Sequence, residues 1–311
     1  MAENNIRSMF VVNPASANGR TRKTWTQLEK FLKQNYITFA VSMTSRPWEA
    51  IELTRKALRD GYEHIIAVGG DGTLNEVVNG FFDDQGILIN DSAHLSMIPM
   101  GTGGDFARMM QFSNQPENIV RLFLNPKTMK CDLVRATFTS WQAEPTCRYF
   151  INIADVGLGS DTVFRVNRNS KIMGGALSFL VGAVTSIIAF KNVSLQVTID
   201  DRNVYTGESC LVAVGNGQYF GGGMRVTPKA IINDGWLDII VVEGLGKLEL
   251  MSNIIPIRKG EHLKNPRVHY YTGKKVMIES QDNLYFEMDG ETPGQGNLTF
   301  EILPAAMNLI V

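Results

Sequence analysis

The sequence predicts an α/β protein in two parts: a parallel-sheet α/β domain up to about residue 130, then a β-sandwich-like domain. Three observations carry this. Short apolar strands in the first part are each followed by a small-residue loop and a helical segment, the repeating unit of a parallel sheet. Glycine-rich turns, Gly69-Gly70-Asp71-Gly72 and Gly101-Thr102-Gly103-Gly104, fall where two of those strands end. After Met129 the texture changes to β-rich runs bounded by Gly, Asp, Asn and Pro.

The chain opens with Phe10-Val11-Val12, a strand that ends at Asn13-Pro14, followed by a loop to Gly19 and a helix from about Arg22 to Gln34. Arg20, Arg22 and Lys23 could meet phosphates, although basic residues beside a loop are more often a solvated face. Thr38 to Met43 is the second strand and Thr44-Ser45 its loop, with Pro47 suited to open a helix that runs to about Asp60. Ile65 to Val68 is apolar throughout, as a strand buried on both faces should be, and Leu74 to Phe82 is its helix. Leu95 to Pro99 is the fourth strand, and Met100 to Asp105 turns into Phe106-Ala107-Arg108. Parallel strands joined by helices place all four loops at one edge, where ligands bind in open α/β sheets.

Between the third strand and its helix, Gly69, Gly70 and Gly72 let the backbone approach a ligand closely. The helix N–H groups and dipole add a site for an anion. Asp71 inside such a cradle would repel a phosphate unless a metal or a transferable proton stood between them. The alternative is a tight turn in which Thr73 and Glu76 form a capping box. Neither common nucleotide signature is present: Gly246-Lys247 and Gly273-Lys274 lack the flanking residues of a Walker loop, and this loop has no G-x-G-x-x-G.

In the second part, Cys147 to Val156, Val193 to Ile199, Gly207 to Gly215, Trp236 to Val242, Arg267 to Ser280, Leu284 to Met288 and Asn297 to Ile302 read as strands. Helices near 175–190 and 247–259 interrupt them. Val214 to Gly217 and Gly221 to Gly223 offer close backbone approach or simple loop flexibility. Asn233-Asp234-Gly235 is first a hairpin turn, with a Mg²⁺ loop built from the Asp234 carboxylate and turn carbonyls as the alternative. Glu287, Asp289 and Glu291 alternate at a strand end and would point to one side, either solvated or carrying a raised pKa or a metal.

A formal net charge of −1 over 311 residues gives no general attraction to nucleic acid, and no such partner is expected. Cys131, Cys147 and Cys210 are widely spaced and read as buried thiols in a reducing compartment. The apolar run Met9 to Val12 is too brief for a signal-peptide core, so a cytoplasmic location is expected. Ile172 to Phe190 carries no charge and is long enough to span a bilayer. Its Gly174, Gly175, Ser178, Gly182, Thr185 and Ser186 favour instead a buried or groove-lining helix, a face of which could receive a lipid tail. No transmembrane span is expected.

The run from Gly69 to Val77, Gly101-Thr102 with Asp105-Phe106-Ala107-Arg108, and Asp289-Gly290-Glu291 together resemble the diacylglycerol kinase catalytic-domain family. The branch is that of bacterial soluble lipid kinases, which is similar to sphingosine kinases. Asn13-Pro14, Val214 to Gly217, Gly221 to Gly223 and Asn233-Asp234-Gly235 with Leu237-Asp238 extend the resemblance over nearly the whole chain. It implies a domain over 1–130 like that of phosphofructokinases and NAD kinases, a β-sandwich over 131–304, a last strand at 305–311 returning to the first domain, and ATP bound between the two. Nucleotide contacts are implied for Asn13, Ser16, Thr44, Gly69, Gly70, Asp71, Gly72, Thr73, Leu74, Asn75, Glu76, Thr102 and Asp105. A Mg²⁺ site is implied for the carbonyls of Ile231 and Trp236 with the side chain of Asp234. Glu291 matches the proton acceptor, and Asp289 competes with it. Two positions depart from the pattern: Gly104 stands where the second loop usually has Asn, and Glu49-Ala50 where a His-Ala pair is common.

The implied activity is ATP- and Mg²⁺-dependent phosphorylation of a diacylglycerol-like lipid hydroxyl at a membrane surface, by a peripheral protein with a homodimer as one candidate assembly. A kinase of a soluble hydroxyl substrate and a non-catalytic nucleotide sensor are the rivals. The first would be indifferent to lipid vesicles; the second would bind nucleotide without transfer.

Overall fold

The computed structural model describes residues 6–101, 104–160, 162 and 190–311. Its contacts divide the chain into two units, Met1–Cys131 with Ala305–Val311, and Asp132–Pro304. In the first unit the unbroken apolar runs become parallel strands. These are β1 (Ser8–Val12), β2 (Ala40–Met43), β3 (His64–Gly69) and β4 (His94–Pro99), side by side in the order β2-β1-β3-β4. Alternate side chains face opposite layers. Phe10, Val12, Ile66 and Val68 pack with Trp25, Leu28 and Leu32 of α1 (Arg20–Gln34) and Ile119 of α5 (Pro116–Leu124). On the other side, α2 (Glu49–Arg59) and α3 (Asp71–Gly80) pack on each other and on β1 and β3.

Helix α2 starts two residues later than Pro47 predicts. Trp48 is left-handed (φ 68°), and the Glu49 carboxylate accepts the Ser45 N–H at 2.5 Å and the Ser45 hydroxyl at 2.9 Å. Glu49, where the family pattern has His, thus closes the turn into its own helix. The sequence reading lacks α5, although Pro116 in its first turn is a start signal. The short α4 (Asp105–Met110) follows β4. The end of β14 (Gly294–Ile310) runs parallel to β4, with Asn308 beside His94 and Leu309 beside Leu95.

The second unit is an antiparallel assembly. It contains most of β5 (Thr128–Ser140), then β6 (Pro145–Phe150), β7 (Ile153–Gly157), β8 (Val193–Ile199), β9 (Arg202–Gly215) and β10 (Leu237–Glu243). After α6 (Lys247–Lys259) come β11 (Val268–Gly273), β12 (Lys275–Glu279), β13 (Phe286–Met288) and the first part of β14. The ladder runs β11-β10-β9-β8-β12-β14, with β7 joining β9 to β13 and β5 pairing β6. Both faces are covered. Val212, Val214, Leu237, Ile239 and Val241 enter one core, while Leu211, Ala213, Ile240 and Val242 enter a second. Strands covered on both faces read as unbroken apolar runs, which is how β9 and β10 read.

All three cysteines are free. Cys131 and Cys210 are buried, and burial pushes the Cys210 thiol up to about 12. Cys147 departs from expectation: it is exposed, at a position of β6 that faces outward. Among the described residues no helix is long and apolar enough to cross a membrane. The uncharged run lies outside the described residues except for Phe190, which packs against the second core.

Candidate functional site

In the first unit the loops that end β1, β3 and β4 interlock. The Asn13 N–H donates to the Val68 carbonyl (2.9 Å), Asn13 Nδ2 donates to Thr73 Oγ1 (3.0 Å), and Asn13 Oδ1 accepts the Ala15 N–H (3.0 Å). The Ser16 and Thr21 hydroxyls lie 2.6 Å apart, and Thr21 Oγ1 donates to the Met100 carbonyl at 2.9 Å. The Met100 N–H in turn donates to the Gly69 carbonyl (2.8 Å). A Cβ on Gly101 would stand 2.5 Å from Gly70 Cα, so the two glycine loops touch backbone to backbone and no side chain fits between them. Thr44, at the end of β2, is buried and donates its N–H to the Val12 carbonyl (2.9 Å).

Helix α3 begins inside this cluster. Gly70 is its N-cap and no side chain caps it. The first N–H groups of a helix have no intrahelical acceptor, so Asp71, Gly72 and Thr73 present a dipole end suited to an anion. The capping-box alternative does not form: Thr73 is the third helical residue and is held by Asn13, and Glu76 Oε2 accepts the Ala50 N–H (3.1 Å).

Several of the implied nucleotide contacts have side chains turned elsewhere. Leu74 is core, and Asn75 is buried with its Oδ1 3.3 Å from Asn79 Nδ2. The Asp71 carboxylate accepts the N–H groups of Asp105 (3.1 Å) and Phe106 (3.4 Å). The positive partner that Asp71 calls for is therefore the start of α4. Burial, followed by the nearby Asp105, pushes the Asp71 carboxyl above its ordinary range, against the pull of those N–H groups. Asp105 is buried and lies 2.5 Å from Arg108 Nη1. Gly104, the residue before α4, is left-handed (φ 65°), a conformation that Gly and Asn both adopt. The departure from the family Asn thus keeps the backbone path and loses only a side chain. Thr102 lies outside the described residues.

In the second unit the three alternating acids do not share a face. The strand stops at Met288, and Asp289 (φ 49°) and Gly290 (φ 87°) turn the chain. The Asp289 carboxylate is buried and accepts three backbone N–H groups, from Ile151 (3.0 Å), Asn152 (3.1 Å) and Ile153 (3.2 Å). Glu287 lies opposite Asp155 on β7, and the two carboxyls are hydrogen-bonded to each other. Glu287 Oε2 also accepts the Gly290 N–H (2.7 Å), and Asp155 Oδ1 accepts the Ser160 N–H (2.8 Å). Burial, reinforced by the Asp155 charge, pushes Glu287 well above the usual carboxylate range. Glu291 is half-buried, and its backbone closes the turn with Met288. The sequence reading missed Asp155. A lone acid in Ile153-Ala154-Asp155-Val156, an otherwise apolar strand, was the available signal.

The turn before β10 is not a hairpin, since β10 pairs β9 and β11. The Gly235 N–H donates to Asp132 Oδ2 (2.7 Å), and the Trp236 N–H donates to Asp234 Oδ1 (3.0 Å). Ile231, Asp234 and Trp236 are exposed. Among the described residues no group of three or more His, Cys, Asp or Glu side chains could hold a metal. One carboxylate with turn carbonyls is still an all-oxygen donor set that suits a hard, partly hydrated cation.

The second unit also holds an apolar cavity of about 90 Å³, with Leu158, Leu211, Phe220, Leu245, Leu250 and Ile254 in its wall. His262 in that wall donates Nε2–H to the Val226 carbonyl (2.8 Å), and burial holds it below the ordinary imidazole range. The wall is therefore uncharged at that point.

A parallel α/β unit with glycine loops at its strand ends, coupled in sequence to an antiparallel β unit, defines the NAD kinase-like class. A yeast NADH kinase structure shares that fold with a TM-score of 0.55 at 10% identity, covering 99% of this chain and 83% of that one. Residues 7–136 match the diacylglycerol kinase catalytic domain, and residues 154–311 match the YegS C-terminal NAD kinase beta sandwich-like domain. The chain belongs to the diacylglycerol kinase catalytic-domain family. It is 28% identical over 290 residues to a diacylglycerol kinase of Staphylococcus carnosus, covering 93% of this chain and 90% of the relative. It is 30% identical over 287 residues to that of Staphylococcus haemolyticus, covering 92% and 82%. A diacylglycerol kinase structure from Bacillus anthracis superposes with a TM-score of 0.71 at 21% identity, covering 98% of this chain and 96% of that one.

Proposed function

We propose that the protein is a peripheral lipid kinase that uses ATP and Mg²⁺ to phosphorylate a diacylglycerol-like hydroxyl. Membership of the family supports the reaction class. The observation that carries the choice of a lipid over a soluble acceptor is the uncharged cavity of the second unit, whose largely aliphatic wall offers the hydroxyls of a soluble polyol few hydrogen-bond partners.

The first unit fits a nucleotide triphosphate on its own geometry. The α3 N-terminus is uncapped, and the Gly70–Gly101 contact removes the side chains that would stand over it. The N–H groups of Gly72 and Thr73 take phosphate oxygens, and Asn13, Ser16 and Thr44 line the loops beside them. Asp71 and Asp105 hold those loops in register. ATP supplies the transferable phosphoryl group and Mg²⁺ neutralises its charge. The carbonyls of Ile231 and Trp236 with the side chain of Asp234 would hold a hydrated Mg²⁺ and supply it with an all-oxygen donor set. Glu291 takes the proton of the lipid hydroxyl, whereas Asp289 keeps its carboxylate on three N–H groups and fixes the turn.

Incubating the purified chain with γ-labelled ATP, Mg²⁺ and fractionated lipids in vesicles tests the reading. Label in a lipid fraction is the expected result. Label only in soluble acceptors, or nucleotide binding with no transfer, would replace it with one of the two rivals.

A further inference from the structure

Helix α6 is apolar on two faces, centred about 120° apart at 100° per residue, and one packing layer covers only the first. Leu250, Ile254 and Ile257 point into the cavity of the second unit. Leu248, Met251 and Ile255 lie together on the second face, turned away from the cavity. They are 84%, 38% and 66% exposed. Among the described residues no other helix or strand carries three exposed large apolar side chains. Around the stripe stand the exposed side chains of Lys247, Arg258 and Lys259. The one acid of the helix, Glu249, is turned to Arg267, 3.0 Å away.

We propose that the outer face of α6 is the surface by which the protein docks on a lipid bilayer, with Leu248, Met251 and Ile255 inserted and Lys247, Arg258 and Lys259 at the phosphates. This rests on the lipid reading above, because the helix that meets the bilayer then also lines the apolar cavity of the second unit. An apolar stripe edged by lysine and arginine is the pattern of a helix lying in a membrane interface, where long basic side chains reach up to anionic headgroups. A second copy of the chain is a poorer occupant. A stable interface buries about 800 Å² per partner, more than three side chains on one helix provide, and paired basic ends would repel. All three apolar residues are exposed, so replacing them leaves the core intact.

The test uses the full chain and extruded vesicles of phosphatidylcholine with phosphatidylglycerol. Leu248→Asp combined with Ile255→Asp should lower vesicle co-sedimentation by about tenfold or more, the scale of losing two buried aliphatic side chains. It should leave the sedimentation mass and phosphorylation of a short-chain, water-dispersed diacylglycerol unchanged. Tyr36→Asp, at a 93% exposed site in the first unit, should change nothing. Wild-type protein that does not bind vesicles, a double variant that binds as well as wild type, or one that turns a dimer into a monomer would overturn the docking surface. Vesicle binding that depends on the stripe, with no transfer to any lipid, would leave the docking surface standing and remove the kinase reading alone.

Discussion

Glu287→Gln isolates the work done by the buried carboxyl pair. With both Glu287 and Asp155 buried and hydrogen-bonded to each other, the folded pair keeps a proton that the unfolded chain gives up once the pH exceeds their ordinary values of 4.5 and 3.8. The sign follows: carboxyls raised in the folded state contribute most below those values, and stability falls as pH rises while the pair still holds its proton. Each pH unit in that window costs about 1.4 kcal/mol. A glutamine amide can donate to Asp155 and accept the Gly290 N–H without needing a proton from solution. The variant should therefore gain on wild type, at up to about that slope, in urea denaturation followed upward from pH 5. Comparing the two proteins cancels the histidines, which titrate alike in both. Glu287→Ala should instead lose about 3–5 kcal/mol, because it strands the Asp155 charge. A Glu287→Gln difference that stays flat with pH would refute the shared proton.

Gly101→Ala puts a methyl group 2.5 Å from Gly70 Cα, so it should cost about 1–3 kcal/mol in denaturation and weaken ATP binding in calorimetric titration; unchanged binding would show that the loop contact is not the cradle. Asp289→Asn turns an amide toward backbone donors and should lower stability by about 1–3 kcal/mol. Glu291→Gln should cut turnover by about 10²–10⁴-fold with the melting temperature unchanged. Equal melting and equal turnover loss in both variants would break that division of roles. Burial holds His64 at about 3 against an ordinary 6.5, so the folded state keeps it neutral. Its contribution is complete above 6.5 and is lost as pH falls towards 3, at about 1.4 kcal/mol per unit. His64→Asn should flatten the acid limb of the stability curve measured by urea denaturation.

The parallel unit was legible because its local signals agree with its packing. Ile65 to Val68 is apolar because both faces of β3 are covered, and Gly69 and Gly101 are glycine because two backbones meet there. Helix α6 falls at Lys247–Lys259, within the residues its pattern predicts. The partners of the acids were not legible. Period-two alternation predicts that Glu287, Asp289 and Glu291 share a side, but a strand end carries no mark of its own, and Asp289 with Gly290 turns left-handed. The Asp155 partner of Glu287 is set by strand register between residues far apart in sequence, which no local pattern encodes.

The acids also show why retained carboxylates are weak evidence for a metal. In water a cluster of aspartates invites a cation, but a folded backbone offers another source of positive charge. Asp71 meets the N–H groups at the start of α4, Asp289 those of three successive residues, Asp155 that of Ser160, and Glu287 that of Gly290. Each bond ties a loop to another element and fixes the carboxylate where it stands. Glu291, half-buried and two residues beyond the anchored Asp289, is held at the tip of a turn that the other acids have already fixed. For the proposed phosphoryl transfer a general base needs a fixed position, and the anchored Asp289 two residues away would give Glu291 one.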